Sequence, residues 1–218
     1  MSGEILIVSS CTASKQQAEH RAVSAESLYT GQQHIRLMAG INAYRAAGQP
    51  AGKLCFRILS AHHGLLSPRA AIQSYDYSFS GRALQNIRQQ ARKKNIPGDM
   101  RKLLGRPSEL GVLLLGDSYL RACELDAKTK LGGPLIAFCS PAAARRMPPI
   151  PGLRTVTLTN AEARRLSCGM IALKGEVGRR LLLRLADNPD EALSIARSNG
   201  DVLSWLDSDA PRPQLVAA

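Results

Sequence analysis

Apolar residues in this chain fall into short unbroken runs separated by longer amphipathic stretches, the pattern of buried strands alternating with helices. Glu4-Ile5-Leu6-Ile7-Val8-Ser9-Ser10 is rich in β-branched residues and ends in small polar ones, which predicts a first strand opening into a loop from Cys11 to Ser24. Ala25 to Ala47 spaces Leu28, Ile35, Met38, Ile41 and Ala46 by helical steps, and Gly48-Gln49-Pro50 stops it. Leu54 to Ser60, Val112 to Gly116 and Leu135 to Cys139 predict three further strands. Runs without alternation are what parallel strands covered on both faces look like. A basic helix is expected from Arg82 to Leu104 and a short one from Tyr119 to Thr129. Arg154 to Thr159 reads as a fifth strand or an extended edge, with Asn160 as the N-cap of a following helix. Gly175 to Asp187 and Asp190 to Leu206 predict two closing helices, and residues 207–218, with Pro211 and Pro213, a loose tail. The fold class is therefore α/β: three layers around a central, mostly parallel four-stranded sheet, in one domain over residues 1–206.

Composition narrows the partners. The chain has 218 residues, with 29 Lys+Arg against 17 Asp+Glu for a net charge of +12, and 44% of it is hydrophobic. A field of that sign attracts polyanions, nucleic acid first and an anionic membrane surface second. No apolar run reaches the roughly 20 residues of a membrane helix, and Met1-Ser2-Gly3-Glu4 lacks a signal-peptide pattern. Cys11, Cys55, Cys123, Cys139 and Cys168 form no C-x-x-C, so neither a disulfide framework nor a metal site is expected and the reducing cytoplasm fits. Positive charge gathers in three runs with few acidic partners. The first holds Arg82, Arg88, Arg92, Lys93, Lys94, Arg101, Lys102 and Arg106; the second Arg145, Arg146, Arg164 and Arg165; the third Lys174, Arg179, Arg180 and Arg184. Such runs are either solvated faces or phosphate contacts, and the net charge shifts the balance to phosphates. An aromatic content of 4% disfavours a single-strand stacking platform and leaves duplex backbone binding or a flipped nucleotide.

Ligands of open parallel sheets bind where loops leave the carboxyl ends of strands. Four such loops are polar: Ser9 to Lys15, Ala61 to Pro68, Gly116 to Tyr119, and Ser140-Pro141. The first has no G-x-x-x-x-G-K-[ST], which disfavours nucleotide triphosphate hydrolysis, and its Ser14 is equally read as a helix cap. Cys11 beside Lys15 is either an activated thiolate or, more commonly, a buried free cysteine. His62 and His63, adjacent on an extended chain, point to opposite sides without carboxylate or thiol ligands at useful spacing, so metal binding is disfavoured. One of them is an acid–base or hydrogen-bonding group and the other faces solvent or packs. Asp76 and Asp117 are the carboxylates nearest these loops, each also readable as a turn or capping residue.

The run Ile58-Leu59-Ser60-Ala61-His62-His63-Gly64-Leu65-Leu66-Ser67-Pro68, continued by Ile72-Gln73-Ser74-Tyr75-Asp76, carries a resemblance. With Ser9-Ser10-Cys11 and Lys15 upstream, Ser27 to Gly31 between, and Leu173-Lys174-Gly175 near the end, it resembles a family of small bacterial and phage proteins. That family is similar to the peroxide-stress proteins and the core of archaeosine synthase, which share the uracil-DNA glycosylase fold. One branch consists of antiphage DNA glycosylases acting on modified bases such as glucosylated hydroxymethylcytosine. The resemblance spans roughly residues 5 to 185. It departs from uracil glycosylases in two places: the first loop offers Ser9, Ser10, Cys11 and Thr12 where they carry an activating Asp or Asn, and Cys139-Ser140-Pro141 stands in place of His-Pro-Ser. The resemblance implies action on modified phage duplex DNA without cofactor or metal, and a monomer is the favoured expectation. Asp76 would stabilise the sugar cation or orient water, with Asp117 as the alternative carboxylate, and His63 would contact the nucleotide or leaving base. Ser10, Cys11, Lys15, Tyr29, Gln32, His62, Gly64, Tyr75 and Tyr119 would line the pocket. Arg82, Arg88, Arg92, Lys93, Lys94, Arg145, Arg146 and Lys174 would hold phosphates. A non-catalytic DNA-binding stress protein and a tRNA deazaguanine-modifying enzyme are the rival readings.

Overall fold

The first apolar run becomes β1 (Glu4–Ser10), in which Ile5 to Val8 are buried because both faces of the sheet are covered. In the computed structural model, which describes residues 3–16, 21–198 and 200–208, β1 lies between two parallel neighbours. These are β3 (Lys53–Ser60) and β6 (Leu110–Leu114), following a two-residue β2 (Val23–Ser24) that pairs outside the sheet with β5 (Ala71–Ile72). Beyond β6 lie β7 (Leu135–Cys139) and β8 (Leu153–Thr157), also parallel, while β4 (Gly64–Leu66) runs antiparallel along the other edge of β3. The order is β4-β3-β1-β6-β7-β8. The sheet thus has six strands, not four. Arg154 to Thr157 is a true parallel edge strand, and β4 is a hairpin arm closed by the turn at His62-His63, too short to leave an alternation signal. From β1 the chain moves first to β3 and then back past β1 to β6, so the topological switch point lies between β1 and β6.

Several predicted helices are broken where the backbone leaves helical space. Ala25 to Ala47 divides into α1 (Ala25–Leu28) and α2 (Gln32–Ala46), because Tyr29 is extended and bridges Lys15 while Gly31 packs against Thr12. The basic stretch divides at Asn95, at φ +52°, into α3 (Leu84–Lys93) and α4 (Ile96–Leu104), with Pro97 in the first turn of α4. The short helix starts earlier than expected, at Asp117, and α5 (Asp117–Ala122) ends ahead of Glu124, at φ +45°. After α6 (Pro141–Ala144), the N-cap of α7 (Asn160–Arg165) is Thr159 in a capping box with Glu162, not Asn160. The closing region holds three helices: α8 (Leu173–Asp187), α9 (Pro189–Arg197) and α10 (Val202–Asp207), the last capped by Asp201. Asp207, assigned to the tail by sequence, ends α10 and pairs with Arg165 at 3.0 Å; residues 209–218 lie outside the described ones.

Helices α2 and α8 approach closely because glycines line their contact. A Cβ on Gly175 would stand 2.0 Å from the Gln33 carbonyl oxygen, and one on Gly40 2.6 Å from the Cα of Arg179. This proximity brings two polar side chains to the carboxyl end of β6: Gln33 Nε2 donates to the Leu114 carbonyl at 3.1 Å and Lys174 Nζ to that of Leu115 at 2.6 Å. Among the described residues no helix is long and apolar enough to cross a membrane.

Candidate functional site

At the carboxyl edge of the sheet, β1 ends in buried Ser9 and Ser10, and the Cys11 N–H continues the ladder to the Leu59 carbonyl at 2.9 Å. Ser60 ends β3 wholly buried. Its Oγ accepts the N–H groups of His62 at 3.2 Å and His63 at 3.0 Å, which fills both lone pairs of the hydroxyl. Its own hydrogen is therefore committed to Tyr75 Oη, 2.7 Å away, and Tyr75 Oη lies 2.8 Å from Tyr29 Oη. Ser60, Tyr75 and Tyr29 carry one O–H each, and the two bonds among them use two. One tyrosine O–H is left over to donate elsewhere.

The loop after β3 departs from the extended geometry assumed in the sequence reading. Because both N–H groups turn back onto Ser60, the two imidazoles converge instead of pointing apart, with ring centres 4.6 Å from each other. His62 stacks on Tyr75 at 4.9 Å, and His63 meets the same ring edge-on at 4.9 Å. Lys15 Nζ stands 4.5 Å over the Tyr75 ring, which makes Tyr75 the hub of the cluster. On the β6 side, Tyr119 Oη is 3.0 Å from Cys11 Sγ and its ring is 5.1 Å from Phe79.

The protonation pattern follows from burial. Burial pushes the Tyr29 hydroxyl up to about 12 and raises Tyr75 and Tyr119 as well, with Cys11 adding to each. Burial also lowers both histidines, helped by Lys94 for His62 and by His62 and Lys94 for His63. The site is thus lined at neutral pH by protonated hydroxyls and neutral imidazoles, and His63 Nε2 is buried without a partner among the described residues. Such a lining suits hydrogen bonding to a neutral, polar ring.

The two carboxylates differ sharply. Asp117, at the start of α5, accepts the Ser140 hydroxyl at 3.0 and 2.9 Å to its two oxygens and pairs with Arg146 at 3.2 Å. Asp76 directly follows Tyr75, is exposed, and makes no hydrogen bond or ion pair to another described residue. Gln32 is exposed on α2, whereas its neighbour Gln33 reaches β6; helical phase separates the two, and only the packing of α2 reveals it. Gly64 meets the site through its backbone, at φ +84°, where a Cβ would lie 3.0 Å from the Lys94 carbonyl oxygen. Ser60, Tyr77 and Phe79 were also missed. Ser60 sits inside the L-S-A run and could have been found as a hydroxyl at a strand end.

The basic runs are less uniform than their sequence suggests. Arg92 and Arg88 face Glu124 at 3.1 and 3.7 Å, and Arg82 lies 4.1 Å over the Tyr77 ring. Lys93, Lys94 and Arg145 form no ion pair with a described residue, nor do Arg101, Lys102 and Arg164. The third run is internal, which corrects its reading as a phosphate surface. Arg179 and Arg180 pair with buried Glu176, Arg184 donates to the Trp205 carbonyl, and Lys174 is committed to Leu115. Burial lowers the Lys174 ammonium, opposed by Asp117 and Cys139. Among the described residues no group of three or more His, Cys, Asp or Glu could hold a metal ion. No protein-family model matches the chain, and no curated protein is significantly similar to it.

Proposed function

We propose that the chain is a cytoplasmic, monomeric DNA glycosylase that extrudes a modified base, glucosylated hydroxymethylcytosine being the favoured one, from phage duplex DNA and leaves an abasic site. The observation that carries this reading is the neutral hydrogen-bonding cluster of Tyr29, Ser60, His63 and Tyr75 at the carboxyl edge of the sheet, with the exposed, unpartnered Asp76 directly after Tyr75 in the chain. Base excision breaks the N-glycosidic bond, adds water at the sugar C1′ and delivers a proton to the departing base. An oxocarbenium-like sugar needs a nearby negative charge, which Asp76 supplies. The base carries developing negative charge, which the spare tyrosine hydroxyl and a His63 N–H stabilise by hydrogen bonding. Lys15 stands over Tyr75, Cys11 and Tyr119 bond each other on the β6 side, and Ser10 ends β1 before them. Phosphates outside the cluster fall to Arg82, Lys93, Lys94 and Arg145, whose cationic groups have no carboxylate partner among the described residues. No cofactor enters the reaction.

Incubation with unmodified, hydroxymethylated and glucosylated duplexes, followed by alkaline cleavage, is expected to give strand breaks at the glucosylated base alone. Discrimination of this kind comes from a site that hydrogen-bonds a polar substituent and rejects the analogue lacking it. Equal rates on all three duplexes would defeat the assignment of the modified base. Affinity without any abasic product would favour the non-catalytic binding reading instead.

Binding to nonspecific duplex DNA is expected to weaken steeply with salt. With about four phosphates neutralised, the slope of log K against log salt would lie near −4, since each contact releases counterions. Fluorescence anisotropy at graded ionic strength measures it, and a flat response would remove these cations from the docking surface.

A further inference from the structure

A cavity opens on the side of α5 opposite Tyr119. Asp117, Leu120 and Arg121 share one helical face, at steps of three and four residues, whereas Tyr119 lies on the opposite face, against Cys11. The cavity measures about 250 Å³ and is walled by α3, α5 and the segment following α6. Leu84, Leu120, Leu125 and Met147 contribute apolar surface. Two ion pairs belong to the lining: Arg146 with Asp117 at 3.2 Å, and Arg88 with Glu124 at 3.7 Å. Arg121, exposed and without an ion pair to a described residue, completes the lining.

This combination specifies a ligand by its chemistry. Three guanidiniums against two carboxylates leave the lining with excess positive charge, which selects an anion. The apolar walls select a body that loses little by leaving water. The carboxylates accept hydrogen bonds from N–H donors. We propose that the cavity binds a nucleotide unit: a nucleoside monophosphate with an amino-bearing base, adenine or cytosine. Its phosphate meets Arg121 and the neighbouring guanidiniums, its base lies on the Leu84, Leu120 and Met147 surface, and its exocyclic amine donates to Asp117 or Glu124. The volume lies just under the roughly 300 Å³ lower bound of ordinary ligand pockets, so one such unit is held partly enclosed and a dinucleotide finds no room. A phosphate that engages Arg146 also competes with Asp117 for it. The site does not depend on base excision taking place.

Isothermal titration of the full chain with 5′-AMP, 5′-CMP and a short single-stranded oligonucleotide tests this. Saturable binding is expected, weakened about tenfold or more by Leu84→Trp, which adds bulk at a half-buried lining residue, and by Arg121→Glu, which reverses the free charge. Thermal unfolding of both variants at the wild-type midpoint keeps the comparison valid, and Arg121→Glu, at an exposed position, stands alone if Leu84→Trp fails to fold. Binding of the free monophosphates assigns the pocket to a soluble nucleotide. Binding of the oligonucleotide alone, with the same sensitivity to both variants, assigns it to a nucleotide within a strand. The proposal is overturned if neither probe binds saturably, if both variants bind as the wild type does, or if phenylalanine, an apolar-bodied zwitterion, binds as well as 5′-AMP.

Discussion

Asp76→Asn is expected to leave folding and duplex affinity unchanged while reducing release of the modified base by at least about a hundredfold. The substitution keeps the shape of the side chain and removes its charge. Asp76 is exposed and bonded to no described residue, so the fold has nothing to lose, and surface changes of this kind usually stay within about 0.5 kcal/mol. Duplex affinity should not fall, because an anion is withdrawn from a surface that meets phosphates. Only a step that develops positive charge on the sugar should suffer. Asp117 makes a poorer candidate because it lies on the face of α5 opposite Tyr119 and is held there by Ser140 and Arg146. Single-turnover excision by the Asp76→Asn and Asp117→Asn proteins decides between them. Unimpaired release by the first would end the assignment of the carboxylate role to Asp76.

What could be read from sequence, and what could not, divides along physical lines. The four apolar runs announced β1, β3, β6 and β7 because a strand covered on both faces has no polar side to break the run. Of the residues in the carboxyl-end loops, Cys11 and Tyr119 meet across β1 and β6, while His62 and His63 gather on Tyr75 beyond β3. Features set by tertiary geometry left no such trace. The hairpin arm β4 is three residues long and exists because the chain turns at His62-His63, and that same turn folds both N–H groups onto Ser60. Helical phase hid Gln33 behind Gln32. The third basic run misled because a count of charges ignores depth: Glu176, three and four residues ahead of Arg179 and Arg180, signals internal pairing only once it is known to be buried.

That buried carboxylate supports the second large expectation. Glu176 is 2% exposed, and burial alone would push its carboxyl up. Hydrogen bonds from Arg179, Arg180 and Arg36 outweigh this and hold it at about 2, against an ordinary 4.5. A carboxyl whose value is depressed in the folded state contributes stability that is fully present above the unfolded value and is lost as pH falls through the folded one. The contribution, roughly 3 kcal/mol, should therefore fade between about pH 5 and pH 2. Glu176→Gln keeps the shape but leaves three guanidiniums facing one another without a counter-charge, so it should destabilise the chain by roughly 3 kcal/mol at pH 7. Denaturant unfolding of both proteins across this range should show the gap closing as the medium becomes acidic, and a gap independent of pH would deny the carboxylate its role. The consequence reaches the candidate site. Glu176 lies two residues after Lys174 on α8, beside the glycine contact that seats α8 against α2, so loosening this ion cluster should also loosen the hold of Lys174 and Gln33 on the carboxyl end of β6.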